Sequence, residues 1–97
     1  METRFTWDPK KALKNLRKHG VSFESAIEVF SDPNHIETPN YFVDGEQRSQ
    51  LIGMTEKLVL LLVVFVDRST EGVEIIHIIS ARKGESIEEQ IYEEQIS

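Results

Sequence analysis

The 97-residue sequence contains no cysteine. Disulfide staples and thiolate metal sites are therefore excluded, packing alone must hold the fold, and a reducing compartment suits it. A membrane-length apolar run is also missing. The longest, Leu58 to Val66, has nine residues, about half of the ~20 a spanning helix needs. The opening residues Met1-Glu2-Thr3-Arg4-Phe5-Thr6-Trp7 show no basic stretch leading into an apolar core, so the expectation is a chain without a secretory leader, working in the cytoplasm.

Positive charge is in deficit as well: 11 Lys and Arg stand against 17 Asp and Glu, a net charge of −6. Binding nucleic acid over the whole surface is excluded, because that mode needs broad phosphate neutralisation. The charge is segregated, however. Arg4, Lys10, Lys11, Lys14, Arg17 and Lys18 crowd the first 22 residues against only Glu2 and Asp8, while residues 84–97 hold five glutamates and no base. Gly-rich phosphate loops, Gly-x-Ser-x-Gly elbows and His-Glu-x-x-His pairs are absent, so no cofactor is indicated. His19, His35 and His77 lack the local spacing of a metal site, and none is expected.

What is present describes a single α+β domain over residues 1–97. Asp8-Pro9 starts a helix, with Ala12, Leu13 and Leu16 as its apolar stripe and Gly20 as its left-handed stop. Ser22 caps a second helix whose Phe23, Ala26, Ile27 and Phe30 face a core, and Asp32-Pro33-Asn34 ends it. Extended segments follow at about 36–42, 47–54, 58–66 and 73–82, separated by turn signals, which predicts an antiparallel meander. The uninterrupted apolar run makes 58–66 the central strand. Ser86 and Glu89 form a capping box for a short C-terminal helix that buries Ile87, Ile91 and Tyr92.

In an ideal strand Ile76, Ile78, Ser80 and Arg82 share one face and Ile75, His77, Ile79 and Ala81 the other, unless a bulge intervenes. Arg82 and Lys83, where this strand meets the last helix, are candidates to clasp a phosphate. An ion pair with a nearby glutamate is the plainer role for Arg82. Arg48 lies in a polar stretch, either solvated or functional. His19 ends a helix, and His77 in an Ile-rich strand must find a partner or lose its charge. His35 reads as a loop residue.

Three stretches, Phe5-Thr6-Trp7-Asp8, Asn15-x-x-Lys18-His19-Gly20-Val21-Ser22-Phe23-Glu24-x-Ala26 and Val29-Phe30-x-Asp32-Pro33, resemble the opening of the BrnT toxin family. Gly45-Glu46-x-Arg48 with Ile52-Gly53, then Ile78-Ile79-Ser80-Ala81-Arg82-Lys83 with Glu89 and Tyr92, resemble its central and closing motifs. The resemblance implies a RelE-like α+β fold, two N-terminal helices on a small, mainly antiparallel sheet with a short C-terminal helix. It implies a metal-independent ribonuclease toxin of a bacterial type II toxin–antitoxin system that inhibits translation. A BrnA-like antitoxin would neutralise it, with a heterotetramer as the complex and DNA contacted only through the antitoxin.

The chemistry so implied is attack of a 2′-OH on its neighbouring phosphate, which needs a base, stabilised negative charge and a proton for the leaving 5′ oxygen. By motif match Arg48 and Arg82 fall on the phosphate, Lys18, Lys83 and Ser80 beside the RNA, and His19 or His77 in acid–base roles. Tyr92 stacks on a base or donates a proton. The sequence departs from the family pattern at His77, where that pattern has arginine. Two other readings stay open: a non-catalytic antitoxin-binding co-repressor of the same fold, and a module whose acidic C-terminal helix docks a basic protein.

Overall fold

The structure, a computed structural model, describes residues 2–96. Strand β1 (Glu2–Thr6) leads into helix α1 (Pro9–His19), helix α2 (Phe23–Glu28) and a 3₁₀ turn at Val29–Ser31. Strands β2 (Ile36–Val43), β3 (Glu46–Met54), β4 (Leu60–Asp67) and β5 (Val73–Lys83) follow, and helix α3 (Ser86–Ile96) closes the described chain. The five strands form one mixed sheet in the order β1-β5-β4-β3-β2. β2 to β5 are an antiparallel meander, and β1 joins β5 in parallel.

The local signals act as the sequence predicts at several points. Asp8 accepts the Lys10 N–H at the start of α1, and Gly20, at φ 70°, closes it through its own N–H to Leu16 O. Ser22 accepts the Ser25 N–H at the start of α2. Asp44 and Gly45, at φ 50° and 80°, make the two-residue turn between β2 and β3, whose twist matches that of paired strands. β4 is the middle strand and is almost wholly buried.

Five expectations are corrected. β1 was not predicted, because Glu-Thr-Arg-Phe-Thr carries one apolar residue and its partner lies some seventy residues away. The apolar stripe of α1 meets the core only through Ala12: Leu13 and Leu16 are exposed, and Asn15 is the buried residue. Leu58 sits in the turn at φ 63°, 79% exposed, so the central strand starts at Leu60. The C-terminal helix caps one residue early, with Glu88 accepting the Glu85 N–H, and it buries Glu88 while Ile87 stays outside.

The fifth correction concerns β5. Val64 pairs with Ser80 but Phe65 with Ile78, so Ile79 is an extra residue. A one-residue insertion reverses the facing of everything beyond it. Ile76, Ile78 and Ala81 therefore share the core beneath α1 and α2 with Phe23, Val29 and Val63. Ser80 and Arg82, paired with Val64 and Leu62, move to the face of His77, which pairs with Val66.

The two faces are covered differently. On one, α1, α2 and the 3₁₀ turn bury the main core, in which Phe5, Phe30 and Phe65 stack edge to face. On the other, α3 covers only the end bearing Ile52 and Leu62, against which Tyr92 packs. The rest of that face, around Val64, Gln50, Arg48 and His77, is only partly buried.

Candidate nucleic-acid interface

The half-open face is organised by register. Thr6 pairs with His77, His77 with Val66, and Tyr41 with Arg48. Continuing the β3–β4 ladder one step beyond Ser49 and Phe65 sets Arg48 opposite Val66. Thr6, His77, Val66, Arg48 and Tyr41 thus form one row across all five strands. His77 and Arg48 stand two strands apart, about 10 Å between backbones, so their side chains can address one phosphodiester.

His77 is held by Thr6, whose Oγ1 lies 2.8 Å from its Nδ1. Burial pushes its pKa below the ordinary 6.5, and the positive charges of Arg68 and Lys11 act the same way against Glu46 and Asp8. The imidazole is therefore neutral near pH 7. If Nδ1–H donates to Thr6, Nε2 presents a lone pair, which is what a general base requires.

Around it sits a short charge network. Glu46 Oε1 lies 3.5 Å from Arg48 Nε, and Glu46 Oε2 lies 3.8 Å from Arg68. Glu46 and Arg48 are two residues apart on β3, which puts them on one face by the strand's pleat. Arg48 Nε is buried yet makes no hydrogen bond, so one donor of this guanidinium is unused.

The other sites named from sequence are spread over several places. His19, Lys18 and Ser80 come together, bordering a recess between α1 and β5. Arg82 is engaged elsewhere: its Nη1 donates to Glu88 Oε1 at 2.7 Å and to Lys83 O at 3.1 Å, and lies 3.4 Å from Glu85 Oε1. The hydrogen bond from Arg82 holds the buried Glu88 carboxyl below its usual range, although burial opposes this. Arg82 pairs with Leu62, four residues along β4 from the row of His77 and Arg48, about 13 Å at strand rise. Arg82 is thus held against α3, away from the row of His77 and Arg48.

Tyr92 belongs to the interior. It is 6% exposed, its hydroxyl donates to Asp32 Oδ2 at 2.6 Å, and its ring packs with Ile52 and Leu62, leaving no face for a base. Burial and the bond to Asp32 raise the Tyr92 pKa. Asp32 also accepts from Met54 and Asn34 N–H, and these bonds with that of Tyr92 overcome the opposing effect of burial, so its own pKa falls. Lys83 is exposed on the opposite side, near Lys57 and Val59. His35 lies in the loop before β2, its Nδ1 2.8 Å from Asp32 O.

Four participants were missed from sequence: Thr6, Glu46, Arg68 and Lys11. Only Glu46 carried a local signal, its i,i+2 spacing to Arg48. The others are brought in by the unpredicted β1, by the β4–β5 loop and by the seat of α1. Among the described residues no group of acidic or histidine side chains is arranged to hold a metal ion.

The family model described as "Ribonuclease toxin, BrnT, of type II toxin-antitoxin system" matches residues 7–88. The chain belongs to the BrnT ribonuclease toxin family. Family membership brings a ribonuclease toxin activity and an antitoxin partner. The crystal structure of the Brucella abortus ribonuclease toxin BrnT, at 1.1 Å resolution, superposes with a TM-score of 0.56 at 21% identity, covering 89% of this chain and all of that one. The α+β architecture, a five-stranded mixed sheet with three helices, is thus shared with that BrnT. No curated protein sequence matches the chain. No helix among the described residues is long and apolar enough to cross a membrane.

Proposed function

We propose that this BrnT family member is an endoribonuclease that cleaves RNA without metal, on the half-open sheet face, with His77 as base and Arg48 and Arg68 on the phosphate. The carrying observation is His77 itself, tethered by Thr6, kept neutral by burial, with Arg48 on its strand row and the charge of Arg68, from the β4–β5 loop, acting on it. Nε2 of His77 removes the 2′-OH proton, and the 2′ oxygen attacks the adjacent phosphorus. The bond to the 5′ oxygen breaks as a 2′,3′-cyclic phosphate forms. Arg48, its side chain partly exposed on this face, turns its guanidinium to a phosphate oxygen, stabilising the added negative charge. His19, the histidine that lines the recess beside Ser80, is our candidate to protonate the leaving 5′ oxygen. Arg82 anchors α3 rather than substrate in this reading.

The fold is RelE-like in this reading, and the protein acts in the cytoplasm, where RNA cleavage inhibits translation. A BrnA-like antitoxin, with which it forms a heterotetramer, restrains it and supplies any contact with DNA. One observation favours the non-catalytic co-repressor instead: Arg48 and Arg68 both sit in ion pairs with Glu46. Purified protein freed of antitoxin, incubated with end-labelled RNA in EDTA, separates the two. The proposal expects fragments ending in cyclic phosphate and a fall of about 10²–10³ in rate for Arg48→Ala. Intact RNA would favour the co-repressor.

A further inference from the structure

The reaction face accounts for Arg48, Arg68 and His77 but not for the densest positive charge in the chain, which lies on α1. Lys10, Lys11, Lys14, Arg17 and Lys18 form no ion pair among the described residues, whereas Arg4, Arg48, Arg68 and Arg82 each have a carboxylate partner. In a protein with six more acids than bases, five neighbouring cations with no ion-pair partner among the described residues stand out.

Three of these lysines have a common direction. Lys11, Lys14 and Lys18 line a recess of about 360 Å³ together with His19, Ile79 and Ser80. Their i, i+3, i+7 spacing sets them along one side of the helix over about 10 Å. The helix cannot roll to another side, because buried Asn15 is bonded across to β5. Its Nδ2 donates to Ala81 O at 2.8 Å and to Val21 O at 3.0 Å, and its Oδ1 accepts the Ala81 N–H at 3.1 Å. One end of the row is electrostatically continuous with the reaction face, since the charge of Lys11 acts on His77. At the other end Ser80, on the same sheet face as His77, supplies a hydroxyl, and half-buried Ile79 an apolar wall.

We infer that Lys11, Lys14 and Lys18 form a phosphate track, a binding subsite for the backbone of single-stranded RNA next to the scissile bond. The inference rests on the RNA reading above and extends it with a strand path, from His77 over Ser80 and along α1. A row of point charges reads no base, so the track adds affinity without sequence preference.

The test is the salt dependence of binding to a labelled single-stranded oligonucleotide with 2′-O-methyl groups, which cannot be cleaved. Each phosphate contact contributes about 0.7 to the slope of log K against log salt. The Lys11→Gln, Lys14→Gln, Lys18→Gln triple variant is expected to lower the slope by about 2. Between 50 and 200 mM salt the wild type then loses about 15–20-fold more affinity than the variant. Lys57→Gln, on the opposite side of the sheet, is the control and keeps the wild-type slope. If the triple variant does not fold, each single variant is measured, with a loss of about 0.7 expected from each.

An unchanged slope in the lysine variants overturns the track while leaving RNA cleavage standing. Equal losses in Lys57→Gln and the lysine variants also overturn it, as charge without a site. A variant that keeps RNA affinity but loses its antitoxin assigns α1 to an acidic protein partner instead. Wild-type protein that binds no RNA at any salt removes both the track and the function beneath it.

Discussion

At the scale of single residues the account turns on His77 and Asn15. The folded protein lowers the pKa of His77 below 6.5, so the folded state takes up that proton less readily than the unfolded chain. The stability this confers is present above pH 6.5 and is lost as the pH falls through the folded value. Urea titrations between pH 5 and 8 should show wild-type stability falling on the acid side, with a shallower fall in His77→Gln. Asn15→Ala strands the carbonyl and N–H of Ala81 on the β5 edge and the carbonyl of Val21, and should cost about 2–4 kcal/mol in the same assay. His77 was legible as an anomaly in sequence, an imidazole among isoleucines. Asn15 was visible only as a member of a motif, because nothing local says that an amide will complete a strand edge.

Among elements, the bulge in β5 and the attachment of α3 decide what the site contains. Simple alternation along residues 75–82 divides His77 from Ser80 and Arg82, and the single extra residue at Ile79 reunites them. No sequence pattern marks that insertion, since Ile-Ile is ordinary strand material. Helix α3 is pinned by Arg82 to Glu88 and by Tyr92 to Asp32. Arg82→Ala leaves a buried carboxylate without its main donor and should lower stability by about 1–3 kcal/mol. Protein that remains folded should cleave RNA at close to the wild-type rate. A large loss of cleavage with unchanged stability would return Arg82 to the phosphate. Where the 3₁₀ turn meets β3, a Cβ on Gly53 would lie 3.0 Å from both Val29 Cβ and the Val29 carbonyl oxygen. Gly53→Ala should therefore cost about 1–3 kcal/mol, read by thermal unfolding.

Taken as a whole, the molecule keeps its charges apart, which makes a net charge of −6 compatible with the RNA substrate proposed above. The cations of α1 border the open end of one sheet face, and the glutamates of α3 lie at the covered end. The helices, the meander and this polarity were legible because each rests on local periodicity, caps or composition. The parallel β1, the exposed side of α1 and the row from Thr6 to Tyr41 were not, because they depend on pairing between distant segments.

If His77 takes the proton that starts RNA cleavage, the pH dependence of single-turnover cleavage in EDTA by antitoxin-free wild type and His77→Ala carries its signature. The wild type is expected to show an acid limb with its midpoint below 6.5, and the variant to lose that limb and fall in rate by about 10²–10⁴. A variant that cleaves at the wild-type rate with the same acid limb would contradict that role.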